Sequence, residues 1–241
     1  MKTLILRLID RLGYEIWRKD RPQDRPRSSM QKAMEWLRNN RFDIKTVIDI
    51  GASDGQWTRA CMNWLDANYV LFEPQPCHSN ALDAFNEEFN GNVTIIKKAA
   101  GAKVGKTYFD ITDPFGGALK NTKSIGAIEV DLTTIDETVR EKGIKGPFLL
   151  KLDTHGFEVP ILEGAEDLLK QCEVLIIEAY NYNIEPDSLL FWQLCEYLYK
   201  KGFRPIDMVD ISHRKYDDSL WQMDLVFIKS SWSGYKHISY T

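Results

Sequence analysis

The chain has 241 residues, of which 44% are hydrophobic and 27% charged, and its formal net charge is −4. That is enough for one large α/β domain whose core needs neither disulfides nor a structural metal. The charge balance gives no overall pull toward nucleic acid, so no nucleic-acid partner is expected.

Charge is unevenly spread. Residues 1–42 hold 11 Lys/Arg and 5 Asp/Glu, whereas the remainder holds 20 and 30. We read 1–42 as an N-terminal helical extension and linker, and 43–241 as the ligand-binding domain. Leu4, Ile5, Leu8, Ile9, Leu12, Ile16 and Trp17 fall on one helical stripe. Arg7, Asp10 and Arg11 break its apolar run and no small-residue cleavage site follows, so it does not read as a secretory signal. No window of about 18 apolar residues occurs anywhere, so no membrane span is expected. Such a helix docks on its own domain, on a second copy of the chain as a homodimer, or peripherally on the inner membrane surface. Residues 20–29, with two prolines and many charges, read as a linker. Ser29 then caps a helix over 30–40 with Met30, Met34 and Leu37 facing inward.

A strand at 46–50 is followed by a helix over 56–66. Tyr69 to Phe72 forms a second strand closed by Glu73-Pro74, and a helix follows near 77–90. Val93 to Ile96 is a third strand. Residues 99–127 read as an edge excursion or mobile loop, and Ile128-Glu129-Val130 as a short extended run. A helix over 133–142 is ended by Gly143. Phe148 to Asp153 is a fourth buried strand, and 158–171 is a helix with Pro160 in its first turn. Val174 to Glu178 is the fifth strand, and 188–201 is a helix ended by Gly202. The last two strands, 203–209 and 223–228, have no helix between them and pair as a hairpin. The pattern predicts an α/β, Rossmann-like fold: a mostly parallel seven-stranded sheet with an antiparallel C-terminal hairpin strand. Cys61, Cys77, Cys172 and Cys195 show no CxxC spacing and are expected as free thiols in a reducing, cytoplasmic setting.

The stretch Asp49-Ile50-Gly51-Ala52-Ser53-Asp54-Gly55-Gln56-Trp57-Thr58 joins the first strand to its helix. Glycines there allow a tight turn, and the helix N-terminus faces a ligand's polar end. Asp49 at the strand end can accept from an ammonium group or a water shell. Glu73, ending the next strand, can accept both hydroxyls of a ribose. A dinucleotide fingerprint needs glycine where Ser53 and Gln56 stand, so S-adenosylmethionine is the favoured ligand. An NAD-dependent oxidoreductase, or a non-catalytic protein that keeps the fold, remains the alternative.

Asp49 to Thr58, Phe72-Glu73-Pro74, Asp131-Leu132-Thr133-Thr134-Ile135-Asp136 and the run Leu150 to Ala165 together resemble the FkbM-type methyltransferases, a family of the class I S-adenosylmethionine-dependent fold. The run Lys151-Leu152-Asp153-Thr154-His155-Gly156-Phe157-Glu158, ahead of Leu162-Glu163-Gly164-Ala165, carries the most specific part. The likeness covers about 45–230. Ser53 departs from the asparagine often found there.

The resemblance implies O-methyl transfer from S-adenosylmethionine to a hydroxyl of a sugar, glycan or secondary metabolite, hence a small-molecule or glycan acceptor. Cofactor contacts are expected from Asp49, Gly51, Ala52, Ser53, Gly55, Gln56, Glu73, Pro74 and Ala99. A sulfonium already makes the methyl electrophilic, so the protein must align an oxygen and assist loss of its proton. Asp153, at the end of the strand beside the first, and His155 are the expected catalytic pair. Glu158 either orients His155 or fixes the turn, the latter being favoured. Tyr180 and Tyr182 line an acceptor pocket or lie on loop surface. His78, His213 and His237 read as surface residues. Asp153, His155 and Glu178 can assemble an oxygen-rich divalent-metal site, but no tight ligand spacing supports it and no metal is expected.

Overall fold

The structure is a computed structural model that describes residues 29–89, 91–114, 116–120 and 125–239. The Leu4–Trp17 stripe, with its docking on domain, second copy or membrane, lies outside the described residues. So does the linker up to residue 28.

In chain order the elements are α1 (Met30–Asn39), β1 (Thr46–Ile50), α2 (Gln56–Cys61), β2 (Asn68–Phe72), a 3₁₀ turn (Pro76–His78), α3 (Ser79–Glu88), β3 (Val93–Ile96), β4 (Ala99–Ala100), β5 (Gly105–Asp110), β6 (Leu119–Lys120), β7 (Ala127–Thr133), α4 (Ile135–Lys142), β8 (Phe148–Leu152), α5 (Glu158–Glu163), α6 (Glu166–Lys170), β9 (Cys172–Tyr180), α7 (Phe191–Lys200), β10 (Phe203–His213) and β11 (Leu220–Lys229). A second 3₁₀ turn (Ser233–Lys236) follows.

Near-continuous apolar runs make strands that are buried on both faces, and these pair in parallel. Every residue of β1 and β8 is buried. The main sheet has seven strands in the order β10-β11-β9-β8-β1-β2-β3. Strand β11 runs antiparallel to both neighbours and the other pairs are parallel. The chain leaves β1 toward β2 and β3, then returns to place β8 and β9 on the other side. The carboxyl ends of β1 and β8 therefore flank a topological switch point, where open α/β sheets receive ligands. One apolar cluster packs against each face. Helix α1 buries Ala33, Met34 and Leu37 in one of these, so the packed body includes residues ahead of the expected boundary at 43.

Several expected elements differ. Residues 99–127 are neither a simple excursion nor a loop, because β4 to β7 form a second, four-stranded sheet ordered β4-β7-β5-β6. Its ladder pairs β5 with β7 antiparallel across long sequence separation, which no local pattern announces. The helix expected over 56–66 stops at Cys61. Ser29 takes the N-cap position without a side-chain bond; the Met30 amide donates to Asp210 Oδ2 at 3.0 Å instead.

The helix expected over 158–171 is two short helices broken at Gly164. There the backbones of Gly164 and Gly101 touch, and a Cβ on Gly164 would lie 2.0 Å from the Gly101 carbonyl oxygen. The Gly164 carbonyl accepts from the Asp136 amide, while the Asp136 carboxylate takes the Asp167 and Leu168 amides and so caps α6. We expect Gly164→Ala to lower unfolding free energy by about 2–3 kcal/mol, the scale of overpacking against backbone. Gly105→Ala, whose Cβ meets nothing within 4 Å, should change it by less than about 0.5 kcal/mol. Urea unfolding of both variants checks this; equal stabilities would refute the packing role of Gly164.

Candidate active site

A cavity of 380 Å³ opens at the switch point. It runs from Gly51, Ser53, Glu73, Pro74 and Ala99 at one end to Asp153, His155, Glu178, Tyr180 and Gln222 at the other. The volume lies within the range of small-molecule sites.

At the first end, Gly51 has φ +78°, and a Cβ there would lie 2.0 Å from the Asp153 carbonyl oxygen. This glycine lets the ends of β1 and β8 close on each other. Ser53 also holds a positive φ of 51°, an uncommon state for a residue with a side chain. Its amide donates to Glu73 Oε2 and the Gln75 amide to Glu73 Oε1, both at 2.8 Å. The carboxylate is thus fixed against the cavity. Burial pushes its pKa up, and the two amides partly offset this.

His78, expected at the surface, is buried. The turn Pro76–His78 tucks its ring under the Pro114 loop, with Nε2 2.8 Å from the Pro114 carbonyl and 3.4 Å from Ser53 Oγ. Gln75 Nε2 donates to the same carbonyl at 3.1 Å. Gly51, Ser53, Glu73, Pro74 and Ala99 line the cavity, whereas Asp49, Ala52, Gly55 and Gln56 do not. Asp49 is fully buried beneath the turn, taking a 2.6 Å bond from Thr58 Oγ1. Ala52 is in the core, Gly55 packs on Phe85, and the Gln56 side chain bonds Asp54.

The other end is organised by Lys151. Its register places it beside Asp49 in the adjacent strand. The ammonium lies 3.2 Å from Asp49 Oδ1 and 3.1 Å from Asp153 Oδ2, with the Trp57 ring centroid at 5.3 Å. Burial alone would lower the lysine's pKa, but the Asp49 and Asp153 charges outweigh it and raise it. Burial likewise opposes ionisation of Asp153, yet Lys151 and then His155 hold its carboxyl below the usual range.

His155, at φ +50°, brings Nδ1 to 3.3 Å from the Gly117 carbonyl. Its Nε2 lies 3.6 Å from both Asp153 Oδ1 and Glu178 Oε2. Glu178 is held by donors from the Tyr180 hydroxyl and Gln222 Nε2. Burial and the Asp153 charge push Glu178 up to about 8, and the same causes push neighbouring Asp224 up to about 7. Glu158 fixes the turn by accepting from Thr154 Oγ1 and the Gly156 amide. Tyr180 lines the cavity, while Tyr182 stacks on Trp221 and is covered by Arg214. Gln222, Gln75 and Asp224 escaped the sequence reading. The pairing of β11 with β9, which sets Asp224 beside Glu178 and Gln222 beside Tyr180, has no local sequence signal.

Comparison with known proteins places this geometry. Residues 49–205 match the methyltransferase FkbM domain. The chain belongs to the FkbM methyltransferase family. A curated relative is the hexuronic acid methyltransferase AglP of Haloferax volcanii, 23% identical over 69% of this chain and 66% of that protein's length. Among solved structures, an rRNA methylase from Streptococcus thermophilus is 12% identical, with a TM-score of 0.47 and coverage of 88% of this chain and 99% of that one. TrmK of M. capricolum, bound to S-adenosylhomocysteine, is 12% identical, with a TM-score of 0.48 and coverage of 82% and 67%.

The cofactor of an FkbM chain is S-adenosylmethionine, and the residues present fit it. Each Glu73 oxygen spends one lone pair on an amide and keeps another for a ribose hydroxyl. The acid-rich far end suits a sulfonium charge. Lys151→Met should lower stability by about 3–5 kcal/mol, because it leaves Asp49 and Asp153 without their cation. Adding Asp49→Asn should restore part of that loss in denaturant unfolding; a stable single variant would show that the lysine is dispensable.

Proposed function

We propose that the protein is an S-adenosylmethionine-dependent O-methyltransferase whose acceptor is a hydroxyl of a sugar or glycan. The observation that carries this reading is a single cavity joining a ribose-ready carboxylate, Glu73, to the Asp153–His155–Glu178 group. That the Haloferax relative is a hexuronic acid methyltransferase favours a sugar acceptor over other hydroxyl compounds. No helix among the described residues is long and apolar enough to cross a membrane.

In this reading Gly51, Ser53 and Glu73 hold the cofactor, and Pro74 and Ala99 flank it. The cofactor supplies an electrophilic methyl group. Asp153 and His155 then orient the acceptor hydroxyl and draw off its proton. Lys151 keeps Asp153 anionic, so that its Oδ1 stays an acceptor. The Gly117 carbonyl can only accept, so it places the imidazole hydrogen on Nδ1 and leaves Nε2 with a lone pair toward the cavity. Phe109 and Pro114 line the space beside them.

Titration calorimetry and transfer of isotope-labelled methyl to uronic acids and neutral sugars test the proposal. S-adenosylhomocysteine should bind and NAD should not; tight NAD binding alone would sink it. Glu73→Ala should weaken S-adenosylhomocysteine by about 1–3 kcal/mol, the scale of an unsatisfied polar group. Asp153→Asn should abolish most turnover while changing that affinity far less. A fully active Asp153→Asn would remove the residue from the reaction.

A further inference from the structure

We infer that Asp153, His155 and Glu178 form a binding site for one divalent cation of the manganese–magnesium class. Two come from the turn after β8 and one from β9, and their ligand atoms lie within 4.8 Å of one another on the cavity wall. His155 Nε2 is 3.6 Å from Asp153 Oδ1 and from Glu178 Oε2. An ion about 2.1–2.5 Å from each of two such atoms would subtend roughly 90–120° at the ion, which is ordinary coordination geometry. Asp153 and His155 are two residues apart but Glu178 lies 23 residues further on, so no local motif announces the set; the β8–β9 pairing gathers it.

The surroundings orient each ligand. Asp153 spends Oδ2 on Lys151, which leaves Oδ1 toward the cluster. Glu178 is steadied by Tyr180 and Gln222, both neutral donors, and its Oε2 faces His155 Nε2. His155 Nδ1 faces the Gly117 carbonyl. That contact selects the tautomer with an Nε2 lone pair, the arrangement that holds a metal-bound imidazole. The positive φ of His155, 50°, is a strained state of the kind that functional sites retain. Without an ion or a proton between them, three lone-pair-bearing atoms face one another. Two carboxylates and one imidazole, with no thiolate, suit manganese or magnesium better than a soft metal.

The role of the ion rests on the methyl-transfer reading: it would set positive charge beside the acceptor oxygen and lower the hydroxyl's pKa. With the ion bound, His155 Nε2 and Asp153 Oδ1 would be ligands in place of the base role they have without it, and the acceptor's proton would pass to solvent as the ion stabilises the alkoxide left behind. Binding itself does not depend on that reading.

The full chain, stripped with a chelator and titrated with manganese chloride, tests the site through loss of the free manganese signal in electron paramagnetic resonance. One ion should bind per chain. Glu178→Gln and His155→Gln should each weaken it by about tenfold or more, whereas Asp217→Asn, which alters a surface pair with Arg214, should not. No manganese uptake by the unaltered chain, or equal uptake by both site variants, overturns the inference. S-adenosylhomocysteine binding, measured on the same samples, decides the methyl-transfer reading separately.

Discussion

The site depends on a buried ammonium. Lys151 stands in the centre of the sheet, in register with Asp49 across the β1–β8 ladder, and takes Asp153 as its second partner. A lysine this deeply buried is sustained only by close anions, because desolvation strongly penalises an unpaired charge. The arrangement ties three things together. It locks the two strands of the switch point, it holds the helix after β1 in place through Thr58 on Asp49, and it keeps an anion at the floor of the cavity. Asp49 therefore acts from beneath the turn, as support for Lys151.

Charge then sets the character of the two ends of the cavity. At the Glu73 end, a carboxylate is satisfied by backbone amides, which give it direction without neutralising it. At the other end, Asp153, Glu178 and Asp224 crowd around one lysine and one histidine. Glu178 and Asp224 are pushed up to about 8 and about 7 by burial and by Asp153. Such crowding destabilises the protein at rest and favours whatever brings positive charge, here a sulfonium and, by our inference, a divalent ion. Ser53 and His155, one at each end of the cavity, both carry positive φ.

Much of this was legible in the sequence because it is local. Uninterrupted apolar runs identified the strands of the main sheet, and a hairpin without an intervening helix identified antiparallel β11. Strand-end position singled out Glu73, and the resemblance to FkbM-type methyltransferases, with the strand end beside it, singled out Asp153 and His155. What escaped depends on long-range pairing. The β5–β7 ladder turned an apparent loop into a second sheet. Contact between Gly101 and Gly164 broke a helix that periodicity would continue. His78 looked like a lone surface imidazole until the Pro114 loop covered it. Gln222 and Asp224 reach the site only because β11 inserts between β9 and β10. Asp49 shows the reverse case: its strand-end position suggests a ligand contact, while its side chain lies buried beneath the turn on Thr58 and Lys151.

The central claim is that one cavity holds a nucleoside at Glu73 and presents it to Asp153 and His155. A crystal structure with S-adenosylhomocysteine tests it most directly. Both ribose hydroxyls should lie on the Glu73 carboxylate, with the sulfur in the part of the cavity bounded by Asp153 and His155. A nucleoside held elsewhere, for instance in the hollow at the opposite strand ends beside Thr46 and Asn68, or one that leaves Glu73 without a contact, would contradict it.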